Sequence, residues 1–256
     1  MLPFVEQPVL QIGDWQLETF HALVVAGTFV GYRVAVRRAA GARLARADAS
    51  SVILQTIAGG FIGSHLFESF FYQPEALRND PLQLLRIWSG MSSFGGILGG
   101  VATGYLAMRR RALPPAARLR LVDAIAFAFP FAWLFGRAGC ALAHDHLGIS
   151  SVHALAVETP SGPRFDLGLL ELLATLPIAA AFALLRRREL PAGFFLAAFL
   201  ALYGPLRFGL DLLRTGDARY FGWTPAQYLS VVAACVGIWL LVVLLAGPAR
   251  RVGCDV

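Results

Sequence analysis

The sequence predicts an all-α, polytopic integral membrane protein with about seven transmembrane helices, folded as a single domain over residues 1–256. Three observations carry that expectation. Apolar residues make up 57% of the chain and charged residues only 15%, whereas soluble domains carry about 25% charged residues. The mean hydropathy is +0.63. Apolar stretches of about 20 residues, the length that crosses a bilayer, recur along the chain and are separated by short gaps rich in Arg, Pro, Asp and Gly.

The opening segment MLPFVEQPVLQIGDWQ has no basic start and no continuous apolar core, so it does not read as a signal peptide. The first span is expected at 17–36 and ends in arginines. The second, 52–72, contains Gly59, Gly60 and Gly63, which let another helix approach closely. The third, 91–108, is glycine-dense over 95–100 and reads either as close packing or as a half-helix beside a cavity. Further spans are expected at 121–140, 166–185, 192–213 and 225–247.

Arginine orients these spans. All 22 basic residues are arginine, and the chain has no lysine. Fifteen of them fall in the gaps after the first, third and fifth spans and in the tail: Arg33, Arg37, Arg38, Arg43, Arg46, Arg109, Arg110, Arg111, Arg118, Arg120, Arg186, Arg187, Arg188, Arg250 and Arg251. Five, namely Arg78, Arg86, Arg164, Arg214 and Arg219, fall on the opposite side. Basic loops stay cytoplasmic, so the expected topology is N-out and C-in, in a bacterial inner membrane. The +6 net charge is thereby accounted for, and nucleic-acid binding is not expected. The absence of lysine excludes a P-loop lysine and Schiff-base chemistry. Cys140, Cys235 and Cys254 show neither metal-binding spacing nor a disulfide framework.

Arg137 and Arg207 sit inside or at the edge of apolar spans, where a charge is costly and functional by default, or else snorkels to the headgroups as an anchor. His65 and Glu68 are three residues apart on the second span. They read equally as a base with a carboxylate fixing its tautomer and as a structural pair. Residues 136–148, Gly-Arg-Ala-Gly-Cys-Ala-Leu-Ala-His-Asp-His-Leu-Gly, bring Arg137, His144, Asp145 and His146 to the outer end of the fourth span. This is a candidate anion or catalytic site. His144-x-His146 alone is a weak metal signature with no third ligand apparent, so no metal is expected. Arg207, Asp211 and Arg214 follow i, i+4, i+7 spacing, which puts two arginine forks suited to phosphate and a neutralising carboxylate on one helix face. The residues therefore point to an arginine-lined site near the outer membrane face, fit for an anionic lipid headgroup, and leave the reaction open.

At these residues the chain resembles the prolipoprotein diacylglyceryl transferase family almost end to end. Residues 11–38 resemble its amphipathic opening and first span, and residues 60–72 its second span. Residues 90–96, Gly-Met-Ser-Ser-Phe-Gly-Gly, resemble a Gly-Met-Ser-Phe-His-Gly-Gly-type segment. Residues 136–148 resemble the signature Gly-Arg-x-Gly-Asn-x-x-Asn-x-Glu-x-x-Gly. Residues 203–214 match Tyr-Gly-x-x-Arg-Phe-x-x-Glu-x-x-Arg, and residues 227–230 a final Gln-x-x-Ser. Arg137, Gly139, Gly148, Arg207 and Arg214 are retained. The family's histidine aligns with Phe94, its asparagines with Cys140 and Ala143, and its glutamates with Asp145 and Asp211. A first-span tyrosine falls near Phe20 and His21.

The resemblance implies transfer of diacylglyceryl from phosphatidylglycerol to the lipobox cysteine of a prolipoprotein, with glycerol phosphate leaving and a thioether forming. The lipid supplies the electrophile, so no cofactor is implied. Arg137, Arg207, Arg214 and Gly139 are then the headgroup-binding candidates, with Glu68 and Asp211 as supporting carboxylates. His144, His146, Asp145, His65 and Arg137 are the catalytic candidates, a histidine taking over the proton chemistry that Phe94 cannot perform. Transfer to another acceptor, and phospholipid or lipoprotein binding without chemistry, remain alternative classes.

Overall fold

The computed structural model describes residues 1–12, 15–42, 44–86, 90–215 and 219–246. The chain opens with strands β1 (Leu2–Pro3), β2 (Val9–Ile12) and β3 (Trp15–Glu18). Helices α1 (Thr19–Gly41) and α2 (Arg46–Phe67) follow. The latter runs on as a π turn over Glu68–Tyr72, then come the short α3 (Pro74–Asn79) and a 3-10 turn, Pro81–Leu85. Next are α4 (Ser93–Arg110), α5 (Pro115–Ala143), strands β4 (Leu147–Ser150), β5 (Ala156–Thr159) and β6 (Gly162–Asp166), and helices α6 (Leu167–Leu185), α7 (Phe194–Asp211) and α8 (Pro225–Ala246).

Among the described residues six helical stretches are long and apolar enough to cross a membrane: Thr19–Gly41, Arg46–Phe71, Pro115–Ala143, Leu167–Leu185, Phe194–Asp211 and Pro225–Ala246. The protein is a multi-pass, predominantly α-helical membrane protein. The seventh stretch expected from the sequence is α4. Its glycines and its terminal Arg109 and Arg110 leave it less apolar than the other six. Arg43, Arg250, Arg251 and Cys254 lie outside the described residues.

The small sheet was not anticipated by the sequence reading. Strands β1, β5, β6 and β4 lie side by side in that order, with β1 parallel to β5 and the others antiparallel; β2 and β3 form a separate hairpin. The link between α5 and α6 thus pairs its backbone groups in a ladder instead of running as an open loop.

Contacts divide the chain into two units, one of Met1–Gly31 with the chain from Ala126 onward, the other of Tyr32–Ile125. In the second unit α2 lies along α4 on a glycine seam. A Cβ at Gly63 would stand 2.5 Å from the Gly95 carbonyl oxygen and 2.8 Å from the Gly99 Cα. Only bare backbones allow this approach. In the first unit Gly27 of α1 meets Ala132 and Phe135 of α5 with the same lack of room, and Gly204 of α7 meets Ser230 and Ala234 of α8. Phe127, Phe182 and Phe195 pack together, the last two fully buried. Phe129, Trp133, Phe199 and Tyr203 continue as an aromatic ladder between α5 and α7. Their i, i+4 spacing keeps each pair on one helix face, and the ladder leads to the polar centre.

Candidate active site

Glu171 is the only charged residue of α6 and is wholly buried. Such a carboxylate is tolerated only when its oxygens are filled. Oε1 accepts from Trp133 Nε1 at 2.9 Å and from the Tyr203 hydroxyl. Oε2 faces Arg207 Nη1 at 3.1 Å and Arg137 Nη1 at 3.5 Å. The helical period assembles this set. Trp133 and Arg137 are one turn apart on α5, and Tyr203, Arg207 and Asp211 form an i, i+4, i+8 stripe on α7. The Arg137 guanidinium also lies over the Trp133 ring, 4.3 Å from its centroid, a cation–π contact that steadies a desolvated charge.

The network continues along α7. Arg207 Nη2 reaches Asp211 Oδ1 at 3.4 Å, and Arg214 Nη1 approaches the same oxygen at 3.8 Å. The other Asp211 oxygen accepts from the Thr224 hydroxyl. Thr224 in turn begins α8 as a reciprocal cap: Gln227 N donates to Thr224 Oγ1 at 3.2 Å and Thr224 N donates to Gln227 Oε1 at 3.0 Å. Arg207 and Asp211 share one face of α7, and Arg207 is clamped between two buried carboxylates. Helix α7 ends at Asp211, so Arg214, expected on the same helix face, instead reaches Asp211 from beyond the helix end, where it bridges to Gly148. Arg137 is 5% exposed, and its Nε has no hydrogen-bond partner among the described residues. A guanidinium carries five N–H donors, so this buried cation keeps donor capacity for an anion.

The signature loop divides its histidines between two jobs. His144, in the left-handed region at φ 49°, has both ring nitrogens engaged. Nδ1 lies 2.6 Å from Asp166 Oδ2, Nε2 lies 3.1 Å from the Val5 carbonyl oxygen, and the ring stacks on Phe4. Asp166 also caps α6 by accepting from Leu169 N at 3.0 Å. Burial pushes the Asp166 carboxyl above its ordinary range, partly offset by the Leu169 amide and by His144. His144 thus ties the N-terminal segment to the start of α6 and has no ring nitrogen left for a substrate proton. His146 is different. Its side chain is partly exposed, but its Nδ1 is buried and lies 2.8 Å from Asp145 Oδ1 without the alignment of a hydrogen bond. Donor atoms of Cys140, Asp145 and His146 all lie within 4.8 Å of one another, a set able to hold a metal ion, and Arg137 Nη1 lies 3.8 Å from Cys140 Sγ.

The remaining sequence candidates are placed elsewhere. His65 and Glu68 belong to the second unit. The His65 ring Nε2 meets the Leu84 carbonyl at 3.2 Å, and Glu68 Oε1 accepts from Gln73 Nε2 at 3.2 Å. The π turn starts at Glu68, whose amide still bonds back to the Ser64 carbonyl in the last turn of α2. Phe94 lies in the first turn of α4. Gly139 provides close packing: a Cβ there would stand 2.9 Å from Phe20 Cδ2. Sequence reasoning missed Glu171, Tyr203, Trp133, Thr224 and Asp166. For Glu171 a signal was present, since a lone carboxylate in an apolar span is itself a reason to look for a partner.

The profile of the family described as prolipoprotein diacylglyceryl transferase matches residues 7–243. The chain is 29% identical to the phosphatidylglycerol–prolipoprotein diacylglyceryl transferase of Geobacter sulfurreducens over 98% of both chains. It is 28% identical to that of Nitratidesulfovibrio vulgaris strain DP4 over 93% of this chain and 94% of the other. It is also 28% identical to that of Rhizobium meliloti over 94% and 93%. With a match over nearly its whole length, the chain belongs to the prolipoprotein diacylglyceryl transferase family.

Proposed function

We propose that this chain transfers the diacylglyceryl group of phosphatidylglycerol to the sulfur of a prolipoprotein lipobox cysteine. The buried Arg137, held by Glu171 yet with an unsatisfied Nε, is the observation that carries the reading. The acceptor thiolate attacks the glycerol carbon that bears the phosphate. The C–O bond breaks, the phosphate oxygen keeps the electron pair, and glycerol phosphate leaves as the thioether forms. Negative charge on the phosphate grows from a diester monoanion toward a monoester dianion. Fixed guanidiniums stabilise that change more than they stabilise the ground state, which is how a site accelerates a reaction. Arg137, Arg207 and Arg214 fill this role, while Glu171 and Asp211 hold the forks in place. Thiol activation falls to Asp145 and His146, because both ring nitrogens of His144 are engaged. The protein acts from a seven-span, N-out and C-in arrangement in the bacterial inner membrane, with residues 136–148 at the outer face.

Purified protein incubated with phosphatidylglycerol and a lipobox peptide is expected to add a diacylglyceryl mass to the cysteine, and Arg137→Ala to abolish that gain. Glycerol phosphate release without peptide modification would redirect the reading to another acceptor. Silence on both, with phosphatidylglycerol still bound, would leave a lipid-binding protein.

A further inference from the structure

We propose that Cys140, Asp145 and His146 form a zinc site whose fourth position receives the acceptor thiol. The proposal rests on the transferase reading and names the means by which the thiol is activated. Three observations lead to it. The Cys140 sulfur, an Asp145 carboxylate oxygen and a His146 ring nitrogen lie within 4.8 Å of one another. Sulfur, nitrogen and oxygen donors from three residues, with one position open, are the donor set of a catalytic zinc centre, with Zn–S near ~2.3 Å and Zn–N or Zn–O near ~2.0–2.2 Å. Separately, His146 Nδ1 is cut off from solvent without a hydrogen-bond partner, although Asp145 Oδ1 is only 2.8 Å away. That leaves a ring nitrogen whose lone pair is free to take an ion held between it, the carboxylate and the sulfur. Third, the Arg137 guanidinium lies 3.8 Å from Cys140 Sγ, a fixed cation that would face the negative charge of the ligand set.

The charges and the electrons balance. Thiolate and carboxylate together neutralise a divalent ion, so the centre adds no net charge beside Arg137. The lipobox thiol enters the open position and gives its proton to solvent, because a coordinating thiol is deprotonated outright. The bound thiolate attacks the glycerol carbon, the C–O bond breaks, and the electron pair leaves with glycerol phosphate. Zinc stays divalent throughout. The arrangement supplies the thiolate that the side chain of Phe94, where the family carries histidine, cannot help to make. Cys140 itself stands where the family signature has asparagine, so the ligand that completes the set is particular to this chain.

The test uses the full detergent-solubilised chain, stripped with a chelator and then titrated with zinc alone or cobalt alone. One zinc per chain is expected. Cys140→Ser, His146→Gln and Asp145→Asn should each weaken zinc binding by at least about a hundredfold. Asp145→Asn alters a solvent-facing side chain and guards against a folding artefact in the other two. Uptake by the wild type no greater than by the three variants would overturn the site. In the cobalt form, a lipobox peptide is expected to strengthen the sulfur-to-cobalt absorption, and the same peptide with serine for cysteine to leave it unchanged; equal spectra would overturn the open-position assignment. Transfer at an undiminished rate by stripped protein would sink the metal's role while the transferase reading stands. A cobalt spectrum that responds to the thiol, with no transfer in any metal state, would keep the site and sink that reading.

Discussion

Replacing Glu171 by glutamine would leave the buried guanidinium of Arg137, and the half-buried one of Arg207, facing a neutral amide. Breaking a buried ion pair on one side costs about 3–5 kcal/mol, because the remaining charge stays desolvated. Glu171→Gln is therefore expected to lower the unfolding temperature in detergent markedly and to end transfer. An unfolding temperature equal to wild type would remove Glu171 from the centre of the network. Asp166 offers a second test at this scale. Its folded pKa is raised by burial, so folding favours the protonated acid. The stability it contributes is present below the unfolded pKa of about 3.9 and is lost as pH rises through the raised folded value. Asp166→Asn can still cap α6 and is expected to flatten this loss, giving a smaller fall in unfolding temperature from about pH 4 upward. Parallel pH curves for the two proteins would show that Asp166 is not responsible. The residues also show what a sequence can convey about a site. Arg207 and Asp211 were legible because helical spacing alone puts them on one face, whereas Arg214 reaches Asp211 from beyond the end of α7. The contact of Arg137 with Glu171 was not legible, since it joins α5 to α6 across a separation of 34 positions and only packing decides it. The same holds for His144, whose partners Val5 and Asp166 lie far away in sequence.

At the scale of the element, helix pairing is controlled by glycine. Gly63→Val would put a side chain where Gly95 and Gly99 leave none of the space it needs. Overpacking of this kind costs about 1–3 kcal/mol, and the α2–α4 pair is expected to separate or shift, seen as a lower unfolding temperature. Gly136→Ala is the matched control, because nothing lies within 4 Å of its Cβ position and alanine is the better helix former by about 1 kcal/mol. It is expected to be at least as stable as wild type. If both variants behaved alike, helical glycine would act here through backbone freedom and not through close approach. The spans were legible as elements because about 20 apolar residues leave little alternative in a bilayer. Their ends were less so. Helix α5 begins at Pro115, where the charged Arg118 and Arg120 hid its first turns from a hydropathy reading, and α2 passes into a π turn that spacing rules for α-helices do not anticipate. The strands over 147–166 were missed because each has four or five residues and is held by its neighbours, not by a pattern of its own.

For the whole molecule, the distribution of arginine makes a prediction that the fold alone does not. The 109–120 gap joins α4 to α5 and carries five arginines, and the 186–188 run follows α6; β4, β5 and β6 lie at the opposite end of α5 and α6. An arginine at a helix centre in the bilayer costs roughly 2.5–3.5 kcal/mol on insertion scales, and basic clusters flanking spans are retained on the cytoplasmic side. Each end of α5 and α6 is therefore expected on one side: residues near 110 and 187 in the cytoplasm, residues near 150 outside. The even number of spans in the group α5 to α8 also requires the chain entering α5 and the chain leaving α8 to share a side, which fits basic residues at both places, Arg118 and Arg120 at the first and Arg250 and Arg251 at the second. Single cysteines introduced at 110, 150 and 187 into a chain whose Cys140, Cys235 and Cys254 are serine are expected to divide accordingly. A membrane-impermeant thiol reagent applied to intact cells should label position 150 and reach 110 and 187 only after the membrane is opened. Labelling of 187 from outside would reverse α6 and α7, and with them the side from which the Arg137 centre is reached.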